Sequence, residues 1–113
     1  SENEANSSSA KRRQELSKLE SEQDRLSRSN ERLDQELELQ IATMGDGAKE
    51  TDKLKASQMV LGKQMGNTAN QVKNLEQQLE LAKREYGKNS QEVEALEKEL
   101  YRPRPLMQIL VMS

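Results

Sequence analysis

The chain lacks the residues that most catalytic and cross-linked sites require. It contains no cysteine, histidine, phenylalanine or tryptophan, and its 113 residues include only two tyrosines. Without cysteine there is no disulfide and no thiol nucleophile, and without histidine the usual zinc sites and histidine-based triads are excluded. The scarcity of aromatic residues argues against an ordinary globular core, because large aromatics usually fill much of one.

Further absences limit the possible partners. The net charge is −2 with both signs interspersed, so no broad basic face follows a nucleic-acid backbone. No stretch approaches the roughly 20 apolar residues that span a bilayer, and the first residues contain no apolar signal-peptide core. We therefore expect no nucleic-acid partner and no transmembrane segment, and the lack of cysteine favours a cytoplasmic location.

No group of residues has the arrangement of an active site or a cofactor site. The carboxylates belong to a charged helix surface, where nothing desolvates them or raises their pKa. Gly62 and Lys63 lack the rest of a glycine-rich phosphate-binding loop. The basic residues 11–13 are too short a run to cross a major groove as a bZIP helix does. The sequence predicts a non-enzymatic protein without cofactor or metal.

What the chain does contain is a seven-residue repeat of apolar residues within a composition that is 34% charged. With Leu16 as position a, one register continues without a skip to Leu100. A strict heptad predicts a helix that supercoils left-handedly against a partner, because one apolar stripe cannot bury itself. The predicted dimer core is Leu16, Leu19, Leu26, Leu33, Leu37, Leu54, Leu61, Met65, Val72, Leu75, Leu79, Val93, Leu96 and Leu100.

These patterns predict an all-α fold: a single long helix over residues 11–101 that forms a parallel two-stranded coiled coil. Leucine at most d positions suits a parallel dimer, and Asn30 at an a position is expected to set its register. An antiparallel pair, a trimer or a heteromer remains open. We expect residues 1–10 to be a disordered polar segment. Residues 102–113 form an apolar tail, and Pro103 and Pro105 should end the helix near Tyr101.

A glycine-rich soft region extends over residues 45–66 and contains four of the five glycines. Each glycine in a helix costs about 0.5–1 kcal/mol relative to alanine. Gly45-Asp46-Gly47 also has the composition of a turn, so the chain could fold back there as a helical hairpin. We predict a continuous helix, because the heptad phase is the same before and after this region.

Apolar residues within this region also occupy outward positions of the heptad. Met59 falls at position b and Val60 at position c, where charged residues are usual. Together with Gly62, Met65 and Gly66 they form a candidate partner-binding surface, since small and flexible residues suit a docked helix or protein. Scattered exposed apolar residues without a role are the competing interpretation.

The sequence therefore predicts a structural or interaction protein that dimerises and acts as a scaffold, tether or cytoskeletal element. Its partner-binding surface would lie near residues 57–67. One alternative is a helix of a heteromeric four-helix bundle, which resembles membrane-fusion SNARE assemblies in its polar layer at Gln58. Another is a docking rod for a small GTPase or other globular partner. The apolar residues 106–112 fit a docking segment, a membrane-surface contact or the start of a longer segment.

Overall fold

The computed structural model describes residues 2–102, with side chains from Ser7 onward, and its regular structure there is helix alone. Helix α1 spans Glu2–Met44, α2 spans Glu50–Tyr86 and α3 spans Gln91–Leu100. The predicted all-α class is confirmed. The tail beyond Arg102 lies outside the described residues.

The predicted single helix over residues 11–101 is wrong, because two turns divide it. At the first turn, Gly45 ends α1 with a φ of 73°, a conformation that glycine adopts without a Cβ clash. The Ala48 N–H donates to the Gly45 carbonyl at 3.3 Å. Glu50 and Asp52 follow in the first turn of α2, where negative charge is favourable. The heptad phase is retained across this turn, but retention of phase does not require a continuous helix.

The second turn lies between α2 and α3. Gly87 has a φ of 94°, and its N–H donates to the Lys83 carbonyl at 3.1 Å, which ends α2. Ser90 caps α3, because its hydroxyl accepts a hydrogen bond from the Val93 N–H at 3.2 Å. Helix α3 ends at Leu100 with Tyr101 as its C-cap, so the predicted helix end near Tyr101 is confirmed.

The N-terminal segment also differs from the prediction. Residues 2–10 belong to α1, although a disordered segment was expected over residues 1–10. This stretch contains no proline or glycine to interrupt a helix. In addition, Ser9 and Arg12 bond to Glu85 of α2. That tertiary contact is invisible in a search for apolar periodicity.

The described chain forms two compact units, and each unit pairs part of α1 with part of α2. Among the described residues, unit 1 combines the chain up to Arg25 with residues 71–102, including α3. Unit 2 is Leu26–Asn70 and contains the first turn. In unit 1, Leu96 and Leu100 of α3 pack against a buried cluster of Leu79, Ala82 and Val93. In unit 2, the buried apolar residues are Leu26, Ala56 and Val60.

Candidate interaction surfaces

Five amide side chains recur along one face of α2. They are separated alternately by three and four residues, which places them on a single side of the helix. We call this set the amide seam, and its members are Gln64, Asn67, Gln71, Asn74 and Gln78. Three of them are buried: Gln64, Asn74 and Gln78. Helix α2 therefore buries amide side chains as well as apolar ones.

In unit 2 the seam bonds directly to α1. The Gln64 side-chain amide donates to Asp34 Oδ1 at 2.6 Å and to the Asn30 carbonyl at 3.2 Å. Asn67 Nδ2 donates to Asn30 Oδ1 at 2.9 Å and to Ser29 Oγ at 3.0 Å. As the residue number increases along α2, the number of the residue that it bonds to in α1 decreases, so the two segments are antiparallel. Asn30, which was expected to set register against a second copy, pairs with Asn67 of its own chain.

In unit 1 the seam forms one hydrogen bond to α1 and one within α2. Asn74 Nδ2 donates to the Leu19 carbonyl at 2.9 Å, and Gln78 Nε2 donates to Asn74 Oδ1 at 2.6 Å. Gln23 Oε1 is buried and has no hydrogen-bond partner among the residues that the structure describes. Because an unsatisfied buried amide costs free energy, this network favours one register of α1 against α2.

A charged cluster joins the first part of α1 to the last turn of α2 in unit 1. The Glu85 side chain is only 6% exposed and lies 3.0 Å from Arg12 Nε and 3.8 Å from Arg13 Nη1. The Ser9 hydroxyl donates to its other carboxylate oxygen. The pKa of Glu85 lies below its ordinary value. The largest cause is the hydrogen bond from the Ser9 hydroxyl, followed by the hydrogen bond and charge of Arg12 and by the charge of Arg13.

The predicted dimer-core residues differ in their exposure within the single chain. Those that are buried are Leu16, Leu26, Leu75, Leu79 and Val93. Those that are partly buried are Leu19, Leu33, Leu37, Leu61, Met65, Val72, Leu96 and Leu100. Leu54 is 57% exposed. Much of this apolar stripe is thus already covered by helices of the same chain, and its contact with a second chain stays a prediction.

The candidate partner-binding residues do not all lie on the surface. Met59 is 67% exposed, and Gly62 and Gly66 are exposed with open space where a Cβ would be. Met65 is partly buried. The expectation that Val60 faces outward is wrong, because Val60 is only 8% exposed. It lies on the same face of α2 as the amide seam, four residues before Gln64, and that face is turned towards α1.

A groove of about 500 Å³ opens beside Met59 in unit 2, between the end of α1 and the start of α2. We call it the turn groove, and it is lined by Gln40, Met44, Gly47, Ala48, Asp52, Lys55, Ala56 and Met59. Two methionines, Met44 and Met59, line it, and methionine side chains adapt readily to different partners. Asp52 and Lys55 are both exposed at this groove, so it presents charges of both signs beside apolar surface.

The described part of the chain shows neither a metal site nor a membrane-spanning helix. Residues 7–102 contain no cluster of acidic side chains that could hold a metal ion. None of the helices α1 to α3 has the apolar length needed to cross a bilayer. Comparison of the chain with protein-family models, curated proteins and solved structures finds no match. The turn groove and the amide seam are therefore the features from which a function is inferred.

Proposed function

We propose that this protein is a non-enzymatic interaction module that self-associates through the turn groove and acts as a scaffold or tether. The supporting observation is that Met59 is 67% exposed at the groove, although unit 2 satisfies its seam amides within the chain. Contact between two copies would remove this apolar surface from water, which is favourable by about 25 cal/mol per Å². A cytoplasmic location and a cytoskeletal role remain predictions from composition.

A second copy is the occupant that the charges of the groove favour. Asp52 and Lys55 both line the groove and both are exposed. A twofold interface uses the same patch on both subunits, so a patch that carries both signs is complementary to itself. In such a dimer Asp52 of each copy pairs with Lys55 of the other, and each Met59 packs in the opposite groove.

Met59→Glu tests this proposal. We expect self-association, measured by sedimentation equilibrium, to weaken by about tenfold or more, because a charge would be buried in the apolar centre of the interface. Helicity measured by circular dichroism should not change, since Met59 is exposed in the single chain. Leu39→Glu is the matched control: Leu39 is also 67% exposed but does not line the groove.

A charge exchange tests the pairing itself. Asp52→Lys or Lys55→Asp alone should weaken association about two- to threefold, because exposed ion pairs contribute only a few tenths of a kcal/mol. The double exchange should restore it. A chain that stays monomeric into the high micromolar range, or equal effects of Met59→Glu and Leu39→Glu, would contradict self-association through this groove.

The two alternatives lead to different outcomes in the same experiments. A helix of a heteromeric bundle should be poorly folded alone and become helical when mixed with its partner. Gln58, which motivated that alternative, is exposed within the single chain. A docking rod for a globular partner would use the same surface near Met59, but its isolated chain would be monomeric. Self-association is favoured over both because the turn groove is complementary to itself.

A further inference from the structure

A second groove, in unit 1, lies where α3 packs beside α2. We call it the α2–α3 groove; its volume is about 540 Å³, and its apolar lining comes from Val72, Leu79, Leu100 and Tyr101. Leu100 also packs against the cluster of Leu79, Ala82 and Val93, so the groove adjoins the core of unit 1. Tyr101 is 75% exposed. An exposed aromatic side chain beside a packed core is typical of a surface that contacts another protein.

Charged residues of α2 also line this groove. They are Glu76, Glu80 and Lys83, and all three are exposed. Their intervals of four and three residues place them on one side of α2, with Leu79 between Glu76 and Lys83. Glu80 bonds to Arg84 on its own helix at 2.9 Å. Glu76 and Lys83 therefore place opposite charges on either side of Leu79.

The order of these residues along α2 makes the groove complementary to itself. Glu76 and Lys83 are seven residues apart, which is about 10 Å along the helix axis at 1.5 Å per residue. A twofold contact uses the same patch on both subunits. A twofold axis that crosses α2 at right angles beside Leu79 therefore places α2 of one copy antiparallel to α2 of another. Glu76 of each copy then lies opposite Lys83 of the other.

We propose that unit 1 binds unit 1 of a second copy through the α2–α3 groove, with the two α2 helices antiparallel. The contact removes the exposed Tyr101 and the half-buried Val72 and Leu100 from water, which favours association. A partner with charge of one sign is favoured less, because it would place a like charge against either Glu76 or Lys83. The proposal does not rest on the turn groove, whose residues belong to unit 2.

Charge reversal tests this contact in a Met59→Glu background, where any association through the turn groove is weakened. Lys83→Glu should weaken the remaining dimerisation, measured by sedimentation equilibrium, about five- to tenfold, because two attractive pairs become repulsive. Glu76→Lys should have a similar effect, and the double exchange should restore dimerisation. Lys18→Glu is the matched control, since it makes the same change of net charge at an exposed residue of α1 that does not line the groove.

Cysteine variants test the orientation of the two copies, because the chain contains no native cysteine. A mixture of Glu76→Cys and Lys83→Cys chains should form the mixed disulfide about tenfold faster than a mixture of Gln77→Cys and Lys83→Cys chains. Only the first two positions lie opposite each other in the proposed contact, and a disulfide requires neighbouring Cβ atoms. Gln77 is an exposed residue of α2 that lines a different groove, with Glu15 and Leu19.

Three results would overturn the proposal. The first is a Met59→Glu chain that stays monomeric into the high micromolar range, which would leave the α2–α3 groove to a different protein or to none. The others are equal effects of Lys83→Glu and Lys18→Glu, and equal rates for the two disulfide mixtures. Circular dichroism of each variant verifies that the helices are intact.

Discussion

At the residue scale, polar contacts specify how the two long helices pair. In unit 2 the Asn67 amide bonds to Asn30 and Ser29, and Gln64 bonds to Asp34. Apolar side chains tolerate a shift in register better than hydrogen-bonded amides do, because a shifted amide loses its partner while it is still buried. The amide seam thus provides specificity at positions where larger apolar residues would provide more burial.

The Asn30–Asn67 pair is the best place to measure this contribution. Asn67→Leu should lower the free energy of unfolding by about 1–2 kcal/mol, because Asn30 Oδ1 loses its donor. Asn30→Leu should have a similar cost. In the double variant no polar group of the pair is left unsatisfied, so its loss should be smaller than the sum of the two. Urea unfolding followed by circular dichroism measures the coupling, and simple additivity would refute it.

The Glu85 cluster should make the stability of unit 1 depend on pH. Its pKa is lowered in the folded chain, first by the Ser9 hydroxyl and then by Arg12 and Arg13. The stabilisation is therefore fully present above the ordinary glutamate pKa, about 4.3, and is lost as the pH falls through the lowered folded value. Glu85→Gln should lower the thermal midpoint at pH 7 and converge with the native chain at acid pH, once the pH lies below the lowered pKa of Glu85.

A matched substitution distinguishes this cluster from exposed ion pairs. Glu80→Gln removes a carboxylate that bonds to Arg84 on its own helix, where both side chains are exposed. Its thermal midpoint should differ little from that of the native chain at either pH. A pH-independent difference between the native chain and Glu85→Gln would show that the charge of Glu85 does not stabilise unit 1.

At the element scale, glycine acts in two different ways in this chain. Gly45 and Gly87 have positive φ values and end α1 and α2. Gly62 and Gly66 lie within α2 and keep helical backbone. Composition alone treats all four as helix-weakening residues. Only the backbone conformation separates those that make a turn from those that merely reduce the stability of a helix.

Alanine substitutions at Gly45 and Gly62 should therefore have opposite signs. An added Cβ meets nothing within 4 Å at either position, so packing does not distinguish them. Gly45→Ala should destabilise the chain by about 1 kcal/mol, because an L-residue is strained at positive φ. Gly62→Ala should stabilise it by about 0.5–1 kcal/mol, the difference in helix propensity. Denaturant midpoints measure both, and a matching sign would contradict the assignment.

At the scale of the whole molecule, the turn groove of unit 2 is a surface through which two copies of the chain are proposed to associate. The turn groove contains Met59 and charges of both signs, which favours a second copy.

Some features of the fold were predicted correctly from the sequence. Others have a local signal in the sequence that the prediction did not use. The end of α3 follows from Pro103 and Pro105, and the helical class follows from the heptad. The turn at Gly87 also has a local signal, since a glycine followed by Ser90 is a helix stop and start. The regular spacing of Gln64, Asn67 and Gln71 likewise marked a polar face. Neither signal is visible in the spacing of the apolar residues alone.

The helical class follows from the sequence alone, because the apolar residues repeat with a helical period and neither α1 nor α2 contains a proline. The turn at Gly45 and the burial of Val60 depend on tertiary contacts and do not follow from the sequence pattern. A continuous helix and a hairpin can share the same heptad phase. The choice between them depends on contacts between residues far apart in sequence, such as Asn30 with Asn67 and Arg12 with Glu85, which no local pattern records.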